Sequence, residues 1–118
     1  MHTPLEVSQS YWAAECRRDI DGVMDHFHPE ATGAGPDGVR NGHQEIRHGY
    51  EQNMRAYPGL EVEIVQEFPR GHWSAIEFDP VLIDAGGRRY RVRGVNVVHV
   101  KDGKFVSVRS YEDQPTPE

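Results

Sequence analysis

The sequence has one cysteine in 118 residues. Cys16 has no intrachain partner, which excludes a disulfide framework and fits a reducing compartment, so a cytoplasmic location is expected. Cys16 itself reads as a small hydrophobe rather than a nucleophile. No apolar run reaches the roughly eighteen residues of a membrane span. Met1 to Glu6 has neither the basic start nor the apolar stretch of a leader, and none is expected. Positive charge is scarce: 13 Lys and Arg stand against 19 Asp and Glu, a net charge of −6. That balance argues against nucleic acid or an anionic membrane as the main partner. Arg89, Arg91 and Arg93 form a local exception beside Arg88, alternating along one strand face, and read as a solvated or dimer-facing side of a sheet. The histidines do not combine with Cys, Asp or Glu at a zinc or iron spacing. His26 and His28, two apart at a helix end, do not converge. No metal and no cofactor are expected.

What is present is a composition of 36% hydrophobic and 27% charged residues, that of a folded domain rather than a disordered chain. One domain over residues 1–113 is expected, followed by a frayed tail at 114–118. Thr3, Pro4 and Glu6 supply an N-cap, an N1 proline and a capping box for a first helix running to about Arg17. Val7, Tyr11 and Ala14 form its stripe, with Ser8 and Trp12 on the flank. Asp19 caps a second helix whose apolar positions Ile20, Val23, Met24 and Phe27 recur at i, i+3, i+4 and i+7. Pro29 stops it. A short strand is expected at the start of the stretch from Glu30, and Gly33 to Gly38 reads as a loop, without the Lys-Ser/Thr ending of a phosphate loop. Asn41 as N-cap and Gln44 at N3 open a third helix with the stripe Ile46, Tyr50, Met54 and Tyr57, ended by Pro58-Gly59.

At Leu60 the period changes to two. Leu60, Val62 and Ile64 alternate with Glu61 and Glu63. Long strands follow at His72–Asp84, Tyr90–Val100 and Phe105–Tyr111, with turns at Pro69–Gly71, Ala85–Gly87 and Asp102–Gly103. Pro80 points to an edge or a bulge. Three helices followed by antiparallel strands make an α+β protein, and helices on one face of a long curved sheet enclose a cone-shaped pocket.

Several stretches carry a resemblance. They are Tyr11 with Asp19-Ile20-Asp21-Gly22-Val23 and Phe27, then Pro29 to Thr32, Gly42 with Ile46-Arg47 and Tyr50, Val62 to Glu67, and Asp102 to Tyr111. Together they resemble the nuclear-transport-factor-2-like superfamily in its ketosteroid-isomerase and SnoaL-like branch. The resemblance spans nearly the whole chain and defines a fold more than an activity, since this fold hosts isomerases, cyclases, dehydratases and non-enzymes. Carried over residue by residue from the isomerases, it implies that Tyr11 is an oxyanion-hole tyrosine supported by Tyr50. It puts Asn96 where the second donor, a protonated aspartic acid, stands. The general-base aspartate falls at Gly35, and Asp37 is the nearest carboxylate; the neutral acid beside a tyrosine is a documented pattern for ketosteroid isomerase.

With Asn96 inward, Gly94, Val98 and Val100 share its face, and Val108, Ser110 and Glu112 face inward from the last strand. The expected catalytic set is Tyr11, Asn96, Asp37 and Tyr50. The expected substrate-binding set is Trp12, His26, Phe27, Met54, Val98, Ser110 and Glu112, with His26 and Glu112 as the next bases after Asp37 and His72 as a further acid-base candidate. The implied ligand is a small, apolar, carbonyl-bearing molecule, steroid- or polyketide-like, undergoing enolisation-type proton transfer. The alternative is a non-catalytic binding or assembly module, favoured by the missing carboxylate at Gly35. A homodimer through Val95, Val97 and Tyr111 is expected.

Overall fold

The computed structural model describes residues 2–118. Helix α1 (Pro4–Cys16) begins on the expected capping box: Thr3 Oγ1 accepts from the Glu6 amide at 3.1 Å and Glu6 Oε1 accepts from the Thr3 amide at 2.8 Å. Helix α2 (Ile20–Met24) is capped by Asp19, which accepts from the Gly22 amide at 3.0 Å. It stops earlier than expected, and Phe27 opens strand β1 (Phe27–Gly35) instead of closing the helix. A helical and an extended path both bury Phe27, so the apolar spacing could not separate them.

The expected glycine loop is mostly strand. β1 runs to Gly35 and turns through Pro36 and Asp37 into β2 (Gly38–Asn41). Glycine is a poor strand former in isolation, but here pairing to β2 on one side and to β7 on the other overrides propensity. Helix α3 (Gly42–Ala56) starts at Asn41, yet no side chain caps it there as expected. Glu45, rather than Gln44, reaches back to accept from the Asn41 amide at 2.8 Å.

Strands β3 (Gly59–Arg70), β4 (Trp73–Ile83), β5 (Arg89–Arg91), β6 (Gly94–Lys101), β7 (Lys104–Glu112) and β8 (Thr116–Pro117) complete an eight-stranded sheet in the order β2-β1-β7-β6-β4-β5-β8, with β3 on the other side of β4. All pairings are antiparallel except β1 with β7. Two expectations change here. Pro80 lies in the central strand β4, and the neighbouring strand breaks at Val92–Arg93 beside it, where the Val92 amide still donates to the Pro80 carbonyl at 3.0 Å. A proline without N–H is tolerated where its neighbour interrupts the ladder. The tail does not fray: β8 pairs with β5, and Glu118 accepts from Arg89 Nε at 3.1 Å.

The three helices pack on one face of the curved sheet, the α+β cone arrangement that the spacing and the resemblance implied. The core lies between, around Val23, Phe27, Ile76, Val98 and Phe105, each at most 1% exposed. Among the described residues no helix is long and apolar enough to cross a membrane.

Arg18 locks the helical layer. It sits at φ 55°, a left-handed conformation costly for a residue with a Cβ. Its guanidinium donates to the Tyr57 carbonyl at 2.7 and 3.1 Å, to Asn53 Oδ1 at 3.1 Å and to the Glu15 carboxyl at 3.4 Å. The α1–α2 corner is thereby tied to the C-terminal end of α3. Arg18→Ala strands the Glu15 carboxyl and a carbonyl in a partly buried site. The expected loss is about 3 kcal/mol, or roughly 10 °C in Tm, read by denaturant and thermal unfolding; a change within the noise of a surface substitution would remove Arg18 from this role.

Candidate functional site

A cavity of about 230 Å³ opens between the helices and the sheet. Its floor is apolar, with Trp12, Phe27, Phe78 and Val108 among the lining residues. The wall formed by Gly33, Ala34 and Gly35 carries almost no side chain, and a Cβ added at Gly35 would meet nothing within 4 Å.

Two tyrosines meet inside. Tyr11, 4% exposed, comes from the buried stripe of α1, and Tyr50 from that of α3. Their hydroxyl oxygens are 2.5 Å apart. The Tyr11 ring is fixed by edge-on contacts with Phe27 and Phe105, at centroid distances of 6.0 and 5.4 Å. Burial, and then the nearby Glu15 carboxyl, push both phenols well above their ordinary range, so both stay protonated.

Asn96, 3% exposed, faces the cavity from the middle of β6. Its strand partner Ser110 donates to Oδ1 at 2.7 Å, which leaves the amide NH₂ as the free end. Glu112, two residues further along β7, lies on the same face at the cavity mouth. A Cβ on its strand partner Gly94 would come within 3.2 Å of Glu112 Cγ and 2.9 Å of the Phe78 ring, so glycine makes the space that admits both. Glu112 is exposed at this rim, but partial desolvation on its cavity side raises its carboxyl above the usual range, and the negative charges of Glu15, Asp37 and Asp113 add to the effect.

The remaining expected residues divide. Tyr11, Tyr50, Asn96, Trp12, Phe27, Ser110 and Glu112 line one cavity. Asp37 reaches only its edge, with a side chain 76% exposed and paired to Arg40 at 3.0 Å. His26 is outside: its Nδ1 is bonded to the Gly22 carbonyl at 2.7 Å and its Nε2 to Ser10 Oγ at 2.8 Å, so the ring pins α2 to α1. His72 is on the surface. Met54 packs against the core rather than lining the cavity, and Val98 is fully buried in the core.

Two of the charged residues that line the cavity were not anticipated. Arg40 lies at the mouth with its guanidinium over Gly49, where a Cβ would come within 2.5 Å of Nε. Only the unforeseen β1–β2 hairpin brings it there. Glu15 is 8% exposed and lines the cavity. Its place is readable from the sequence, since it follows Tyr11 by four residues and Trp12 by three on one helix face. Burial raises its carboxyl, while the Tyr11 hydroxyl and Arg18 act in the opposite direction.

A helical layer on a curved sheet, with a polar-studded apolar cavity between them, defines the nuclear-transport-factor-2-like class. The chain belongs to the SnoaL-like domain family, which it matches over residues 8–108. Among solved structures it is similar to a Δ5-3-ketosteroid isomerase from Mycobacterium sp., at 20% identity, covering 97% of each chain with a TM-score of 0.83. It is also similar to AclR, a putative hydroxylase from Streptomyces galilaeus, at 19% identity and TM-score 0.78 over 91% of this chain and 86% of that one. A protein of ketosteroid isomerase-like fold from Catenulispora acidiphila DSM 44928, in complex with trimethylamine, is 17% identical, with a TM-score of 0.81 over 93% and 86%. These likenesses concern the fold. Comparison with curated proteins gives no match.

Gly94→Ala tests the placement of Glu112. The added methyl group must displace the Phe78 ring or the Glu112 side chain, at an expected loss of about 1–3 kcal/mol. In the folded variant the Glu112 carboxyl, followed by carbon NMR, moves toward the ordinary carboxylate range as it is forced outward. An unchanged Glu112 titration would show that Gly94 does not shape this site.

Proposed function

We propose that the cavity binds a small, largely apolar carbonyl compound and catalyses proton transfer at the carbon beside the carbonyl. The Glu112 carboxylate takes the proton, the C–H electron pair moves onto oxygen, and the Tyr11–Tyr50 pair and the Asn96 amide hold the resulting enolate. Return of the proton at another carbon completes an isomerisation. The observation that carries this reading is that three neutral donors, Tyr11, Tyr50 and Asn96, line one largely apolar cavity with the Glu112 carboxyl at its mouth. Neutral donors stabilise a developing oxyanion without drawing a proton from solvent, and a carboxylate whose pKa is raised is a stronger base. The mycobacterial isomerase of the same fold is consistent with it. Size narrows the ligand. A cavity of about 150 Å³ holds benzene, so about 230 Å³ suits one or two rings, and a steroid skeleton would extend through the mouth.

The test is exchange of α-hydrogens for deuterium in bicyclic ketones, followed by NMR, with conversion of a β,γ-unsaturated ketone to its conjugated isomer followed by absorbance. Glu112→Gln is expected to lower the rate by at least roughly a hundredfold, and the double variant Tyr11→Phe/Tyr50→Phe by a similar factor. The second reading, a binding module without chemistry, draws on the bare Gly35 position. Tight ketone binding with no exchange in the parent protein would establish that module and end the catalytic reading.

We further propose that the outer sheet face pairs with a second copy. Trp73, Val95, Val97 and Tyr111 share that face by strand register, together with Phe68, and Phe68, Trp73 and Tyr111 are exposed. Apolar residues on both faces of a sheet call for cover on both. Sedimentation is expected to give the dimer mass at micromolar concentration, and Val97→Glu the monomer; a monomeric parent protein would contradict the proposal.

A further inference from the structure

Arg40 has no part in the reaction above, yet it belongs to the same cavity. It stands on β2 in register with Gly33, and Gly33 is in register with Val108 on β7, so the three share the inner face of the sheet and all line the cavity. An arginine paired to an exposed carboxylate is ordinarily a solvated surface group. Two observations set Arg40 apart. Its side chain is 27% exposed, against 76% for its partner Asp37. In addition, α3 gives up a side chain to seat it. A Cβ at Gly49 would lie 2.5, 2.7 and 2.9 Å from Arg40 Nε, Cζ and Cδ. Gly49 is in the middle of α3, where no turn or left-handed backbone calls for glycine, and glycine is among the poorest helix formers. The guanidinium fills the room that this glycine leaves.

We infer that Arg40 anchors a carboxylate on the ligand, which narrows the substrate class from a ring ketone to a ring keto acid. This rests on the reading of the cavity as a carbonyl-binding site. Among the described residues the guanidinium has one hydrogen-bond partner, Asp37 Oδ2, at 3.0 Å from Nη2. A guanidinium carries five N–H donors in a planar fork that matches a carboxylate, so most of this fork remains to be used. Asp37 shows which chemistry the fork takes, since a carboxylate already holds one prong. It comes from the exposed hairpin turn and can yield to a ligand without disturbing the core. The carbonyl of the same ligand meets Tyr11, Tyr50 and Asn96. One neutral and one cationic fixed point then orient a ring over an apolar floor that gives it no direction of its own.

Three carboxyls line the cavity as well, and none occupies the place of this anchor. Glu15 is met by Arg18 at 3.4 Å. Asp37 is the group that the ligand displaces. Glu112 is on β7, two strands from β2, and four residues past Val108, the residue level with Arg40. Strand spacing and rise put more than about 10 Å between the two backbones. Glu112 and Arg40 therefore act on different parts of one ligand. The base works at the carbon beside the carbonyl, and the carboxylate on Arg40 is remote from that carbon. A neutral ketone still enters the cavity, but without the second fixed point.

The probes are a bicyclic ketone with a remote ring carboxylate and the methyl ester of the same compound, bound at neutral pH and followed by titration calorimetry. In the parent protein the acid is expected to bind roughly tenfold more tightly than the ester, the lower end for hydrogen bonds to a charged group. Arg40→Gln brings that ratio to about one. Gly49→Ala keeps the fold, because the atoms in the way are the far end of a flexible side chain, and thermal unfolding should show no loss of stability. The guanidinium is nevertheless pushed from its seat, and the acid loses most of its advantage. Asp37→Asn removes the competing carboxylate and raises the ratio. Equal binding of acid and ester in the parent protein, a preference that survives in Arg40→Gln or Gly49→Ala, or one that fails to rise in Asp37→Asn would each overturn the anchor. If the ester is bound in those cases, the carbonyl-binding reading stands. If neither compound binds, that reading falls and the anchor with it. An Arg40-dependent preference for the acid without exchange of its α-hydrogens supports the anchor and ends the catalytic reading.

Discussion

The pocket exists because α1 and α3 are held at a distance and still fixed. Two bridges do this. At one end the Tyr11 and Tyr50 hydroxyls touch, and at the other Arg18 reaches from the α1–α2 corner to Asn53 and the Tyr57 carbonyl. Apolar packing alone would draw two amphipathic helices together until the space closed, because contact maximises buried area. Polar bridges set a length instead. The Tyr11–Tyr50 bridge also lines the cavity, so one of the devices that keep it open supplies part of its polar lining.

Much of the sheet was legible in the sequence. The alternation around Glu61 and Glu63 and the inward register of Asn96, Val98, Ser110 and Glu112 depend on a strict period of two, which tolerates no ambiguity once one residue is assigned a face. The failures have physical causes. Phe27 fits an apolar helical stripe and an apolar strand equally well. Gly33 to Gly35 looked like a loop because strand formation there comes from partners distant in sequence, β7 above all. Residues 114–118 have the composition of a tail and are held by contacts to β5 that local sequence does not announce.

The site was legible wherever a polar residue interrupted an apolar stripe: Tyr11, Tyr50 and Asn96 all lie on the cavity. Asp37 was a proximity argument and His26 followed from the resemblance, and each side chain has a stronger partner, Arg40 for one and Gly22 with Ser10 for the other. Glu15 went unnoticed for the opposite reason. A glutamate near a helix end is ordinarily solvated, and only its phase relative to Tyr11 sets it apart.

The bare wall at Gly33–Gly35 has a consequence for how this scaffold changes over time. In the isomerases that the sequence resembles, an aspartate stands where this chain has Gly35. Here that position borders empty space and carries no part of the core. A side chain could be gained or lost there with little effect on folding, unlike at Tyr11 or Arg18, whose removal disturbs the helical layer. The strand wall at Gly35 is thus open to change, and the helical wall at Tyr11 and Arg18 is not. A lineage could exchange one acid-base group for another on the strand wall while the helical wall kept the fold intact.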